Sequence, residues 1–386
     1  MPLDLTALGP QVRAWRAALQ RERDLLRERL ARAEAALLAW APRWTELGWQ
    51  VAARSPIWPA ATPLEPLTTA VPSAPLADYT VLAADGSYLA PDRHGPVYCY
   101  LINTGAARLD YGPAPHARLL SQPYLGYRPE DLVVQVGDRP QPVHGHLLDS
   151  RRQLSELQLL LTLAREATAG RSVALLDGTL NLFAAEGRAN PFLEAYIVAL
   201  EAFAEQGLPV VGYISRPRSA DVIGCLRAVI CPLDRCDGRC QAPTPDPARP
   251  CWGLETFPDR WLFEARLRPG ERSGLWESPW PLARQQYGRS QVCFFYLNVG
   301  AEVVRVEVPR WVADQPALVE RVQAVILDQC ARGQGYPRAL IEAHEQAVIT
   351  AADRQAFERL VEAVLGETGL VLLPSRKAAA KLGRGL

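Results

Sequence analysis

Hydrophobic and polar positions follow two periods along this chain. Over residues 5–47, rich in Ala, Leu, Arg and Glu, Trp15, Leu19, Leu26, Leu30 and Leu37 fall on one helical stripe. This pattern predicts a single long amphipathic helix. Its alternating outer charges suit dimer packing or the bracing of a core, with the arginines solvated. From Ser55 to Pro75 the chain is dense in Pro, Ala and Thr and reads as an extended linker. The period then changes. Strands are predicted at Tyr79–Ala84 and Val97–Asn103, with less regular sequence to Val143. A helix over Leu147–Ala167, a buried strand over Ser172–Leu176, a helix over Pro191–Glu205 and a strand over Leu208–Ile214 come next. Strand and helix in this order imply a mixed α/β sheet with helical cover.

Beyond Ile214 the pattern breaks at residues 225–290 into Cys- and Trp-rich sequence with many Pro and Gly, expected as an insertion or subdomain. A hairpin over Phe294–Val299 and Val303–Val308 turns at Gly300. Two helices, Ala317–Arg332 and Pro337–Leu365, and a short strand at Leu370–Leu373 close the chain. The expected organisation is an N-terminal helix (1–50), a Pro-rich linker (51–75), a main α/β domain (76–375) containing the insertion (225–290), and a basic tail (376–386).

Composition removes several function classes. The 386 residues carry 42 basic and 42 acidic side chains, so no strong overall field draws in nucleic acid, while local basic patches stay open. Lysine occurs only at Lys377 and Lys381. A P-loop needs a lysine after its glycine-rich turn, and neither lysine sits in one. Any ATP-driven motor working with this protein is therefore expected on another chain, and Schiff-base lysine chemistry is not expected on the same ground. The Met-Pro-Leu-Asp-Leu-Thr start is no apolar signal segment, and no run of about 18 apolar residues occurs. A cytoplasmic, non-membrane protein is expected, one in which the eight cysteines do not form a disulfide framework.

Two predicted strands end in Asp-Gly-hydroxyl, Asp85-Gly86-Ser87 and Asp177-Gly178-Thr179. A carboxylate at a strand end, followed by a glycine that lets the backbone turn sharply, aims a rigid ligand into a cleft; alternatively Asp-Gly merely makes a turn. Glu156 leaves the helix among Leu159, Leu160 and Leu163, so its carboxylate needs a partner. Either Arg152, one turn earlier, neutralises it, or it faces a metal shared with Asp85 and Asp177. Strand Asp, helix Glu, strand Asp resembles the order in ribonuclease-H-like nucleases, where carboxylates hold divalent ions that activate water. Tyr336 and His344 lie about two helical turns apart and can share a side. His344 reads as structural or solvated, or, beside carboxylates, as a metal ligand or proton carrier. Cys231, Cys236, Cys240 and Cys251 could give four thiolates to zinc or an iron–sulfur cluster, or could be reduced cysteines of an irregular loop. Trp252, Trp261, Trp276 and Trp280 offer either a base-stacking surface or packing within the insertion.

Asp85-Gly86-Ser87, Asp177-Gly178-Thr179, Tyr213-Ile214-Ser215-Arg216, Val304-Arg305-Val306-Glu307-Val308-Pro309 and Gly335-Tyr336-Pro337 with Ala343-His344, taken in order, resemble the NurA nuclease family over residues 79–350. The resemblance implies a ribonuclease-H-like mixed sheet flanked by helices, here with an N-terminal long helix and the Cys/Trp-rich insertion. It further implies a homodimer with 5′ to 3′ exonuclease and single-strand endonuclease activity dependent on manganese, or on magnesium in its place. The partners implied are DNA, especially single strands and ends, and a HerA-type hexameric ATPase in end resection and double-strand break repair. Carried over by motif, Asp85, Glu156, Asp177 and His344 bind metal and Tyr336 positions the scissile phosphate or water. Arg216 and Arg305 contact nucleic acid; Arg216 stands where a lysine is a common choice, and Thr179 where serine is. The alternative class is a catalytically weak structural subunit docking a hexameric motor; an actin-like ATPase needs a later glycine-rich adenosine loop, and the residues after Ser290 offer only Gly333 and Gly335 before a helix.

Overall fold

The computed structural model describes residues 5–54, 56–71, 76–92, 97–182, 190–231, 251 and 253–367. Helix α1 (Leu5–Trp40) and helix α2 (Trp44–Arg54) are separated by one 3-10 turn. The single helix expected to Leu47 breaks there because Pro42 has no N–H to donate and its ring crowds the preceding turn. Strand β1 (Thr62–Pro63) follows, then β2 (Tyr79–Leu89), β3 (Tyr100–Tyr111) and β4 (His116–Gly126). No alternation marks β4 in the sequence, since nearly all of it is exposed. A short helix α3 (Pro129–Leu132) leads into the β5 (Val133–Val136) and β6 (Arg139–Pro142) hairpin. Helix α4 (His146–Ala164), β7 (Ser172–Asp177), α5 (Leu193–Gln206) and β8 (Val210–Ile214) reproduce the expected alternation.

The segment read as irregular contains α6 (Asp221–Ile230), α7 (Asp259–Arg266), β9 (Trp276–Glu277) and α8 (Pro281–Gln286). Strands β10 (Val292–Asn298) and β11 (Val303–Pro309) form the expected hairpin, with Gly300 at φ 93° in its turn. Helices α9 (Arg310–Ala313), α10 (Pro316–Arg332), α11 (Arg338–Ala347) and α12 (Ala351–Glu367) complete the described chain. One helix was expected over Pro337–Leu365, and two are present. The carbonyls of Gln346 and Ala347 accept from the Asn103 amide at 2.9 and 3.0 Å, which ends α11. The β-branched run Val348-Ile349-Thr350 disfavours its continuation. Thr350 then starts α12: its hydroxyl accepts from the Asp353 N–H and the Asp353 carboxylate accepts from the Thr350 N–H. The expected strand at Leu370–Leu373 and the basic tail lie outside the described residues.

Two compact units divide the chain. One comprises Ser73–Ile214, Tyr287–Val292 and Glu307–Leu386. Its strands run in the order β8-β7-β2-β3-β4, with β2, β7 and β8 parallel and β2, β3 and β4 antiparallel. This is the mixed sheet flanked by helices that the sequence predicts. Val81–Ala84 and Val173–Leu176 are buried throughout, as both-face coverage requires. Helix α4 contributes Leu147, Leu157, Leu160 and Leu163, all buried, each stabilising the fold by roughly 1.5–3 kcal/mol.

The other unit comprises Met1–Pro72, Ser215–Gln286 and Cys293–Val306. Leu37 of α1, Leu47 and Val51 of α2, Ile223 and Leu226 of α6, Phe263 of α7 and Trp276 share one core. Leu26 and Leu30 pack against that core, whereas Trp15 and Leu19, earlier on the same stripe, are exposed. Of the segment 51–75, read as a linker, the described residues 51–54 and 56–71 join it too: Val51–Arg54 end α2, Ala60, Ala61 and Leu67 are buried, and β1 pairs β9. Apolar residues between its prolines have an apolar surface to cover, so these residues pack rather than span. Ala220 precedes α6 and cannot cap it, so Asp259 does so from a distance. Its carboxylate accepts from the N–H groups of Val222 and Ile223 at 3.0 and 2.8 Å and from the Tyr296 hydroxyl at 2.8 Å.

Two stability measurements check this packing. Asp259→Ala leaves those buried donors without an acceptor and is expected to cost on the order of 3 kcal/mol in urea unfolding. In the sheet, a Cβ at Gly105 would lie 2.2 Å from the Ala343 carbonyl oxygen of α11. Gly105→Ala is expected to destabilise by about 1–3 kcal/mol, because backbone rather than a flexible side chain must shift.

Candidate active site

Successive residues of a strand face opposite sides of its sheet. In the β2–β3 register Asp85 lies opposite Gly105 and Gly86 opposite Thr104. Helix α11 approaches at Gly105 and α4 approaches at Gly86, where a Cβ would lie 2.6 Å from Glu156 Oε1 and 2.9 Å from Arg152 Cγ. Gly86 therefore does not turn the chain as the sequence reading supposed. Strand β2 continues through it to Leu89, and its missing side chain makes room for Glu156. In the second motif the turn is real: Gly178 has φ 121° and donates its N–H to the Tyr213 carbonyl at 2.9 Å.

Asp85 is 8% exposed. Its Oδ1 accepts from the Gly86 N–H at 2.7 Å, and its Oδ2 lies 2.7 Å from Nδ1 of the exposed His344. Asp177 stands at the end of β7 and accepts a hydrogen bond from Tyr336. Tyr336 is set by the turn after α10, where Gln334 and Gly335 take φ of 57° and 107° and the Gly335 N–H reaches the Cys330 carbonyl at 2.8 Å. Its ring meets the edge of Tyr213 at 5.2 Å.

Electrostatics tie these groups together. Glu156 is fully buried and forms an ion pair with Arg152. Burial pushes its pKa up to about 8; the Arg152 charge opposes this, while Asp85 and, more weakly, Asp177 add to it. The pKa of Asp177 is also raised, first by lost hydration and then by Asp85, against the Tyr336 hydrogen bond and the His344 charge. Asp177 is exposed by surface area; the exposure governs ligand access, and the crowding around the strand end governs proton affinity. Burial opposes the charge of Arg152, but Glu156, Asp85 and Asp149 outweigh it and raise its pKa.

Of the two fates open to Glu156, pairing with Arg152 is the one observed. The donor chemistry, three mutually repelling carboxylates and an imidazole, matches a hard to borderline divalent cation such as manganese or magnesium. Among the described residues no three His, Cys, Asp or Glu side chains are grouped closely enough to hold one ion. Glu156 is turned to Arg152 and Asp85 to His344, so side chains of the protein take the places at these carboxylates.

The remaining candidates fall elsewhere. Arg305 is 4% exposed, stacks on Phe294 at 3.6 Å, and donates to Asp221 at 2.6 Å and Ser219 at 3.2 Å. This corrects its assignment to nucleic-acid contact: the guanidinium is enclosed in the unit that holds α6. Arg216 is exposed in that same unit, at φ 45°, with its N–H bonded to Glu302. Cys231 and Cys251 are buried and packed together, and Cys225 is buried in α6 with its thiol pKa pushed up by burial. Cys236, Cys240 and Trp252 lie outside the described residues. Trp276 is buried and Trp261 packs edge-on against Phe257, so these two serve the core.

Glu307 was not anticipated. It is buried and accepts from the Thr179 hydroxyl at 2.7 Å and the Leu180 N–H at 2.9 Å, which fixes the turn behind Asp177. A lone carboxylate inside the apolar run Val303–Pro309 is the signal that could have found it.

A mixed sheet with helices on both faces, carrying Asp85 on β2, Glu156 on α4 and Asp177 at the end of β7, defines an α/β protein. The NurA domain model matches residues 79–349, a span that contains every residue of the cluster, and the chain belongs to the NurA family of nucleases. A crystal structure of NurA bound to dAMP and manganese is 12% identical, covering 76% of this chain and 90% of that one with a TM-score of 0.39. NurA with manganese is likewise 12% identical, covering 76% and 91% with a TM-score of 0.38. The catalytic domain of human endonuclease V is 13% identical, covering 85% and 97% with a TM-score of 0.32. No curated protein matches the sequence.

The pH dependence of stability checks the cluster. A carboxyl whose folded pKa lies above its unfolded value stabilises fully below the unfolded pKa and loses that contribution as pH rises through the folded one. Without divalent ions, the protein is expected to lose on the order of a few kcal/mol between pH 4.5 and about 8. Glu156→Gln is expected to flatten this slope; equal slopes in urea titrations would contradict the assignment.

Proposed function

We propose that this protein is a manganese-dependent deoxyribonuclease that cleaves single strands and resects DNA ends from the 5′ side. The carrying observation is the electrostatically coupled set Asp85, Glu156, Asp177 and His344, which lies wholly within the NurA domain match. Asp85, Asp177 and His344, with Glu156 once released from Arg152, supply the ligands for the cation, and magnesium is an alternative to manganese. The chemistry such an ion would supply there is activation of water and neutralisation of charge on the phosphodiester oxygens.

The protein's own groups do the rest. Tyr336 orients Asp177 through its hydroxyl and is placed to position phosphate or water. His344 is exposed and touches Asp85, so its imidazole is oriented by a carboxylate and open to a ligand. Arg152 keeps a positive charge beside the buried Glu156, which balances the site when protons are lost.

The same reading includes a homodimer and a HerA-type hexameric ATPase as partner in double-strand break repair, with residues 1–50 as the dimer or partner contact. Exposed Leu5, Leu8, Val12, Trp15 and Leu19 at spacings of three and four along α1 support such a helical contact. The missing P-loop lysine supports placing the motor on another chain. No helix among the described residues is long and apolar enough to cross a membrane.

With manganese, 5′-labelled single-stranded DNA is expected to be digested. Asp85→Ala is expected to slow this at least roughly 100-fold, the loss of several kcal/mol of transition-state stabilisation. Undiminished cleavage by that variant would remove Asp85 from the site.

A further inference from the structure

In the β2–β3 register Asp85 pairs with Gly105 and Ser87 with Asn103. Side chains two apart on a strand share a face, so these four positions form one square patch on the face that carries α11. Each corner meets the end of that helix. Asp85 Oδ2 lies 2.7 Å from His344 Nδ1, and a Cβ at Gly105 would come within 2.4 Å of the Ala347 nitrogen. The Ser87 hydroxyl donates to the Ala347 carbonyl, and the Asn103 amide donates to the Gln346 and Ala347 carbonyls at 2.9 and 3.0 Å. Two carbonyls can face only the NH2 of that amide, and its oxygen accepts from the Ser121 hydroxyl of β4 at 3.0 Å.

The last four carbonyls of a helix have no partner within it and carry the negative end of its dipole. Ser87 and Asn103 bring donors to two of them from the same strand pair that carries Asp85. His344 stands three residues before Ala347 in α11, so its reach to Asp85 follows from where those carbonyls are held. The side chain of His344 is more than half exposed, which leaves its placement to the helix beneath it and to Asp85. At the other end of α11, Gln329 Oε1 of α10 accepts from the Ala339 N–H at 3.0 Å. The hydroxyl of the second motif is used in a similar way, since Thr179 donates to the buried Glu307 at 2.7 Å.

We propose that Ser87 and Asn103 are positioning residues: by holding the end of α11 they keep the His344 imidazole on Asp85, with Nδ1 as the donor and Nε2 open to a ligand. A carboxylate only accepts, so the contact selects that tautomer. What His344 does for cleavage rests on the nuclease reading above; how it is placed does not.

The test reads the His344 tautomer in the metal-free full chain by nitrogen NMR of histidine-labelled protein, in alkaline buffer where the ring is neutral. Loss of the signal in His344→Gln assigns it. Wild type is expected to hold the proton at Nδ1, and Asp85→Ala to show the mixture of an unconstrained imidazole. Ser87→Ala and Asn103→Ala are each expected to move the signal part of the way to that mixture and the double variant further, while Ser87→Thr, which keeps the hydroxyl, retains the wild-type signal. Asp259→Ala, destabilised in the other unit, is expected to leave it unchanged. With manganese and single-stranded DNA, kcat of the double variant is expected to fall roughly 10-fold with KM held, as misplacement of an active-site group requires. A wild-type tautomer in both single variants, an equal displacement in Asp259→Ala, or an unchanged kcat in the double variant overturns the proposal. The expected tautomer changes in a protein that cleaves no DNA would instead sink the nuclease reading and leave the placement of His344 by Ser87 and Asn103 standing.

Discussion

The arrangement depends on how closely two helices can approach one pair of strands. Gly86 lets Glu156 and Arg152 lie directly on β2 from one face, and Gly105 lets the backbone of α11 lie on β3 from the other. Because Asp85 pairs with Gly105 and neighbours Gly86, both approaches converge on its carboxylate. A methyl group at either glycine would push one helix outward, and with it Glu156 or His344. The site is a consequence of close packing first and of electrostatics second.

Three carboxylates near one another repel, and the fold meets that repulsion with Arg152, His344 and the Tyr336 hydroxyl. The compensation is partial: Glu156 and Asp177 retain raised pKa values. A divalent cation complements such a cluster better than the organic cations do, because it carries two charges in a small radius and accepts several oxygens at once. The tension among these groups is thus the physical ground for the cation site proposed here.

Much of this was legible in the sequence where one element's pattern sufficed. The strand ending at Asp177 and the helix carrying Glu156 came from local periodicity, the strand carrying Asp85 did so except for its end, which lies at Leu89, and the ordered set of motifs came from a family resemblance. Features that depend on distant residues were not legible. Arg305 reads as an available cation until Asp221 closes on it from 84 positions away. Gly86 reads as a turn until α4 shows that space is what it supplies. Edge strand β4 carries no alternation because neither face is covered, and the break between α11 and α12 is set by Asn103 on another strand. Glu307 shows the intermediate case: its oddity within an apolar strand was visible, but its partners Thr179 and Leu180 were not.

Calorimetric titration of manganese into the full chain at pH 7 addresses the central claim, that these residues form a cation site. The account predicts saturable binding that weakens as pH falls, because burial raises the proton affinity of Glu156 and protons then compete with the cation, and loss of that binding in Asp177→Asn. Manganese binding that is absent from wild type, or that persists unchanged in Asp177→Asn, would contradict it.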